Sequence, residues 1–157
     1  MIQVISTGGT LDKIYCPLTG QLLVGPPVIL TCLLAASVIG SSVTEVVRKD
    51  SLEMTDNDRE NILNAVLASS ANRILITHGT DTMNETAKCL ADAGLEKTIV
   101  LTGAMTPHCF PGSDASFNIG VAFGAVQYLP FGVYIAMHGR VLPHAEYKKN
   151  RRLGRFE

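Results

Sequence analysis

Short apolar runs rich in β-branched residues, Ile2–Ser6, Val43–Arg48, Arg73–Thr77, Thr98–Thr102 and Gly132–Met137, alternate with longer segments whose apolar residues recur at helical spacing. Runs of this length suit strands buried on both faces, and strands separated by helices mark βαβ units in a mostly parallel sheet. The helical segments carry their own punctuation. Pro26-Pro27 opens a helix reaching about Ser37, with proline in the first turn where its missing N–H costs nothing. Thr55 caps a helix ending near Ser69, with Asp56 and Asp58 placed to meet the positive end of its dipole. A third helix, Thr82 to Ala93, stops at Gly94, and a fourth, Asp114 to Tyr128, follows the turn Pro111-Gly112-Ser113. Leu11–Gly25 breaks the pattern, with Pro17, Gly20 and Gly25 among scattered apolar residues, and reads as an irregular hairpin lying over the end of the first strand. The predicted fold is a three-layer α/β domain with a doubly wound, mostly parallel sheet (Rossmann/flavodoxin-like) and a β-hairpin flap after the first strand. Such a flap can close over a small substrate and exclude water.

At 157 residues the chain is the size of one domain, and no repeat, linker or low-complexity segment divides it. Thirteen basic residues against fourteen acidic ones leave a net charge of -1, which supplies no field for a nucleic acid or an anionic membrane. The basic cluster Lys148-Lys149-Asn150-Arg151-Arg152, without interleaved aromatics, reads by itself as a solvated tail. Cys16, Cys32, Cys89 and Cys109 are far apart and show neither zinc-ligand nor disulfide spacing, which suits a reducing compartment. Nothing at the N-terminus resembles a secretory signal, so a cytoplasmic location is expected. The most apolar stretch, Val28–Ile39, is far shorter than the roughly 20 residues of a spanning helix and is expected in the core or at an interface.

Two strand ends carry the chemistry. Ile5-Ser6-Thr7-Gly8-Gly9-Thr10 and Thr77-His78-Gly79-Thr80-Asp81-Thr82-Met83 each place a threonine hydroxyl beside glycine, and the second adds a carboxylate. In an open α/β sheet the ligand crevice lies outside the carboxyl ends of the strands, so both turns are expected to line one pocket. Hydroxyls, backbone N–H groups exposed by glycine and a carboxylate suit a site that holds a small amino acid and attacks its side-chain carbonyl. A dinucleotide-binding reading fails because no G-x-G-x-x-G run leads from the first strand into a helix.

With TGGT near the start and HGTDTM some seventy residues later, the chain resembles the bacterial L-asparaginase family, the threonine amidohydrolases. The resemblance extends to Asp50-Ser51-Leu52-Glu53-Met54, to Leu101-Thr102-Gly103-Ala104-Met105-Thr106-Pro107, and to Ser113-Asp114 followed by Phe117-Asn118. It covers nearly the whole chain, residues 1–157, but only the N-terminal domain of the usual two-domain enzyme, so the family's C-terminal domain is expected to be absent. It implies hydrolysis of the side-chain amide of L-asparagine, with L-glutamine as a second candidate, through an acyl-enzyme on Thr10 and without a cofactor or metal. Tyr15 is the matching base for Thr10. Thr80, Asp81 and a lysine form the second catalytic set, with Lys149 favoured over Lys148. Gly9, Ser51, Leu52, Thr80 and Asp81 would bind substrate: Ser51 takes the α-carboxylate, Asp81 the α-ammonium, and backbone N–H groups at the glycine turns meet the oxyanion. Leu52 stands where secreted, high-affinity members carry glutamine, which points to weaker amino-acid affinity. A homodimer or homotetramer is expected, with no nucleic-acid or membrane partner.

Plainer readings accompany these residues. Thr80-Asp81 can serve as a helix cap, Ser51 as a loop residue ahead of Thr55, and Tyr15 as an aromatic packed on the hairpin. His78 is expected to be a hydrogen-bonded structural residue beneath the site. Met54, Met83 and Met105 read as core filler, and His108, Cys109 and His144 lack metal-ligand spacing. The alternative to an amidohydrolase is a catalytically weak or inactive module that binds a small amino acid in the same crevice.

Overall fold

A computed structural model describes residues 1–157. Its main sheet holds six strands, β1 (Ile2–Gly8), β4 (Ser41–Lys49), β5 (Arg73–Thr77), β6 (Thr98–Thr102), β7 (Gly132–Met137) and β8 (Arg140–Pro143). They lie in the order β4-β1-β5-β6-β7-β8. The first five run parallel; β8 pairs antiparallel with β7. A separate hairpin, β2 (Lys13–Cys16) with β3 (Gln21–Val24), follows β1 as expected, and β9 (Lys149–Asn150) pairs with β10 (Arg155–Phe156) at the C-terminus.

Side chains alternate across the sheet and split the core in two. Ile74 and Ile76 of β5 face α2 (Asp56–Ala68) and α3 (Met83–Asp92), where Ile62, Val66, Ala87 and Leu90 cover them. Leu75 faces the opposite layer, built from α1 (Ile29–Ala35) and α4 (Ala115–Ala125) through Ile29, Leu33, Ile119 and Ala122. Burying each aliphatic side chain contributes about 1.5–3 kcal/mol, so helices on both faces hold the sheet. The Thr55 hydroxyl accepts from the Asp58 N–H at 3.3 Å while the Asp58 carboxylate accepts from the Thr55 N–H at 2.9 Å, a complete capping box. The first helix starts at Ile29 rather than at the prolines, since Pro26-Pro27 carries the chain out of the hairpin before helical geometry is reached.

The chain passes from β1 outward to β4 and then across to β5 on the other side of β1. Strand order therefore reverses between β1 and β5, and the crevice expected at such a switch point falls between their carboxyl ends. Buried threonines stitch neighbouring strand ends together: Thr7 Oγ1 of β1 donates to the Thr77 carbonyl of β5 at 2.8 Å, and Thr102 Oγ1 of β6 donates to the Ala136 carbonyl of β7 at 2.8 Å. The Thr77 hydroxyl itself is buried without a partner. Thr77→Val removes this orphan at nearly constant volume and is expected to raise stability by about 1 kcal/mol in chemical denaturation; a loss would mean that the hydroxyl is satisfied in solution.

Candidate active site

Gly8 and Gly9 end β1 with φ of 88° and 87°, a region that side chains other than glycine rarely adopt. A Cβ on Gly9 would run into the Cα and N of Gly79, and one on Gly79 would lie 2.6 Å from Ser51 Cβ and Oγ. Three backbone segments therefore touch: the turn after β1, the turn after β5, and the short 3-10 turn Ser51–Glu53 after β4. Thr10, Thr80 and Ser51 arrive at one rim because glycine lets the chains approach this closely. Thr10 opens its own 3-10 turn, Thr10–Asp12, and is half-buried with its hydroxyl free of intramolecular hydrogen bonds.

Lys149 Nζ donates to Thr80 Oγ1 at 2.8 Å and to Asp81 Oδ1 at 2.9 Å. The ammonium is well buried, its side chain 12% exposed. Lys148 takes no part: it is exposed, and its backbone pairs with Glu157 in both directions. What holds Lys149 is the return of the chain through Arg151–Gly154, which pairs Lys149 with Phe156. Tyr147 and Phe156 are buried with ring centroids 5.5 Å apart. Tyr147 donates to the Met137 carbonyl at 2.8 Å, and Asn84 Nδ2 donates to the Tyr147 carbonyl at 2.7 Å. The basic cluster is therefore a pinned segment, since two aromatic anchors flank it.

Ser51 is buried. Its hydroxyl accepts from the Asp81 N–H at 3.2 Å, and its carbonyl accepts from Thr82 Oγ1 at 2.8 Å, so it fixes the turn that carries Asp81. Just before it, Asp50 accepts from the Leu52 N–H at 3.0 Å and pairs with Lys13 at 2.6 Å, which holds its carboxyl below the ordinary range against the opposing effect of burial. Leu52 is exposed at the rim. Tyr15 makes no hydrogen bond to Thr10. It lies opposite Leu22 on the hairpin, 59% exposed, with its hydroxyl unpartnered. The two hairpin strands pair only with each other, so no further strand draws Tyr15 inward.

His78 is buried beneath the turns, and burial pushes its pKa down to about 4. Its Nδ1 lies 2.7 Å from the Gly79 carbonyl, which can only accept, so Nδ1 carries the proton and Nε2 accepts from Thr86 Oγ1 at 2.8 Å. The loop after β6 is held by two residues from the Ser-Asp and Phe-Asn pairs. Asp114 accepts from the Met105 and Thr106 N–H groups at 3.0 Å, and Asn118 Nδ2 donates to Asp114 at 2.8 Å and to the Gly103 carbonyl at 3.0 Å. Neither role was readable from the sequence, because each depends on a backbone group brought close by folding.

Two residues beyond Thr10, Asp12 is buried and accepts from the Val28 N–H at 2.8 Å, tying the first turn to α1. Burial raises its pKa to about 6, against the lowering effect of that hydrogen bond. The folded state thus holds the Asp12 proton more tightly than the unfolded chain does. Asp12 by itself is expected to lower stability by roughly 3 kcal/mol as pH rises from about 4 to about 6, while His78, with its pKa pushed down to about 4, acts in the opposite sense over the same range. Asp12→Asn, which keeps the acceptor for Val28, should remove the Asp12 contribution, so that stability rises more steeply with pH in the variant than in the parent, and be the more stable form at pH 7.5. Denaturation midpoints across the range check both, and equal slopes would contradict the assignment.

One cleft of about 610 Å³ is lined by Met1, Arg73, Thr98 and Phe131 at the opposite end of the sheet, away from this chemistry. No group of His, Cys, Asp and Glu is placed to hold a metal ion. No helix is long and apolar enough to cross a membrane.

The profile of the family described as "Asparaginase, N-terminal" matches residues 1–155. The chain belongs to the asparaginase family. Among solved structures, the thermostable L-asparaginase from Thermococcus kodakarensis superposes with a TM-score of 0.83 at 24% identity, covering 99% of this chain and 50% of that one. The probable cytoplasmic L-asparaginase from Campylobacter jejuni gives a TM-score of 0.78 at 26% identity, with 94% and 49% coverage. A glutamyl-tRNA(Gln) amidotransferase component from Methanococcus vannielii is 31% identical over 150 residues, which are 89% of this chain and 34% of that protein. The chain therefore spans about half the length of these L-asparaginases and about a third of that amidotransferase component. Its fold is that of the asparaginase-family amidohydrolases.

Proposed function

We propose that this asparaginase-family domain hydrolyses the side-chain amide of L-asparagine, with L-glutamine as a second substrate, through an acyl-enzyme on Thr10. The observation that carries the reading is the Lys149 ammonium held at hydrogen-bond distance from both the Thr80 hydroxyl and the Asp81 carboxylate, on a turn in backbone contact with the one that presents Thr10. A threonine hydroxyl needs a proton acceptor to become a useful nucleophile. In this account Thr10 Oγ attacks the amide carbon and the C–N bond breaks as the Lys149 ammonium gives a proton through the Thr80 hydroxyl to the departing nitrogen, which leaves as ammonia, and the Thr10 proton restores the ammonium. Water then cleaves the Thr10 ester, restoring the hydroxyl and releasing the carboxylate. Asp81 keeps the relay charge balanced, and Ser51 fixes its turn. The Gly9 N–H is taken by the Lys49 carbonyl at 2.9 Å, so other backbone N–H groups of the glycine turns would meet the oxyanion. Tyr15 joins this set only when the hairpin folds over a bound substrate.

A homodimer or homotetramer in a cytoplasmic setting fits this reading. The test is initial-rate ammonia release from both amides at several protein concentrations. Release that follows saturation kinetics supports the proposal, and specific activity that rises with concentration shows that association completes the site. A folded protein that binds aspartate but releases no ammonia from either amide is instead a binding module.

A further inference from the structure

One ion pair joins the ends of the two turns that carry Thr10 and Ser51, and the reaction above uses neither of its side chains. Lys13 closes the 3-10 turn Thr10–Asp12, its N–H donating to the Thr10 carbonyl. Asp50 opens the 3-10 turn Ser51–Glu53 and caps it by accepting from the Leu52 N–H at 3.0 Å. Lys13 Nζ lies 2.6 Å from Asp50 Oδ2, with the two side chains 23% and 25% exposed. Ion pairs open to water contribute little, whereas one this shielded is weakly screened and can act as a tie. Burial acts to raise the Asp50 pKa, but the bond from Lys13, the Leu52 N–H and the charge of Lys149 together hold it below the ordinary range, so both partners are charged at neutral pH. A backbone bond joins the same two segments nearby, the Gly9 N–H donating to the Lys49 carbonyl at 2.9 Å. A single bond lets two turns pivot about it. A second tie fixes their relative orientation.

On the footing of the amidohydrolase reading, we infer that Lys13 and Asp50 are positioning residues whose ion pair locks the turn of the nucleophile Thr10 to the turn that carries Ser51. Neither acts on the reacting atoms. Thr10 has to meet the amide carbon of a substrate held from the side of Ser51 and Asp81, and a displacement of about 1 Å can cost about 10²-fold in rate. The pair sets that separation before substrate arrives. The Thr10 turn is also held from the direction of β6, which lies on the other side of β1 from β4. There the Lys13 carbonyl accepts from Cys109 Sγ at 3.2 Å and the Leu11 carbonyl accepts from the His108 N–H at 3.3 Å. Lys13 is thus the last residue of the hairpin base that is tied down on both sides, and the hairpin strands beyond it pair only with each other.

The experiment measures kcat and KM for L-asparagine in the full chain and in Lys13→Met, Asp50→Asn, the double variant and Lys13→Arg, together with unfolding midpoints and amide hydrogen exchange at Lys13 and Leu52. Asparagine at position 50 keeps the acceptor for the Leu52 N–H and removes only the charge. Each single change is expected to lower kcat about 10–10²-fold with KM within about threefold, the double variant to lose no more than either single one, and Lys13→Arg to keep roughly half the parent rate. A role in stability alone would lower the midpoint and leave kcat of the folded protein intact. Exchange should quicken across the pair, at least about threefold at the Leu52 N–H in Lys13→Met and at the Lys13 N–H in Asp50→Asn, and stay at the parent rate in Lys13→Arg. Losses that multiply in the double variant, a loss carried by KM, or exchange unchanged across the pair would overturn the inference. If the parent releases no ammonia from either amide, the amidohydrolase reading fails on its own, and the exchange rates still decide whether the pair locks the two turns.

Discussion

Thr10→Val is expected to lower ammonia release by at least about 10³-fold while leaving the folded structure and product binding intact. Valine keeps the shape of threonine and removes only the hydroxyl. In the structure that hydroxyl has no intramolecular hydrogen bond to lose, so stability should be unchanged. The loss should fall on kcat rather than on affinity, because the nucleophile acts only once substrate is in place. Ammonia release matching the parent would move the nucleophile elsewhere on the rim, with Thr80 the next group to test.

Lys149→Met is expected to cost about 10²–10⁴-fold in kcat, since it removes the ammonium end of the proton relay and keeps the aliphatic stem. Lys148→Met is the internal control, and a change beyond about twofold there would be a surprise for an exposed side chain. The contrast separates a positioned lysine from a general effect of positive charge near the C-terminus, because the two residues are adjacent and carry the same charge. Equal losses in both variants would show that the cluster acts through its field alone.

The parallel strands were legible because their β-branched runs are buried on both faces; β5, β6 and β7 have the expected ends at Arg73–Thr77, Thr98–Thr102 and Gly132–Met137. Thr55 with Asp58, and Gly94 after α3, likewise signal helix ends through local chemistry that needs no tertiary partner. The antiparallel edge β8 was not legible. Arg140–Pro143 is short and half-exposed, and its place depends on β7 lying alongside. The pinned C-terminal segment was missed in the same way, since Lys148–Arg152 looks like a solvated run until Tyr147 and Phe156 are seen to be buried together.

Within the site, the glycine turns were read only as exposing backbone N–H groups, and the close approach of Gly9 to Gly79 came with folding; of the two lysines weighed, Lys149 is the one in contact with Thr80 and Asp81. The contact of Arg151 with Asp81, Nε to Oδ1 at 3.6 Å, was not legible because it arises from the turn between β9 and β10. Tyr15 was named as the base for Thr10 on the resemblance alone; here it stands on a hairpin paired only with itself, 59% exposed.

The most direct test of the central claim, that an acyl-enzyme forms on Thr10, is partitioning with hydroxylamine during steady-state turnover of whichever amide is cleaved faster. The account predicts that the acyl hydroxamate appears at the expense of the free carboxylate while the rate of ammonia release holds constant, and that Thr10→Val forms neither product. Turnover that yields only the carboxylate at every hydroxylamine concentration, or hydroxamate formed equally well by Thr10→Val, would contradict it.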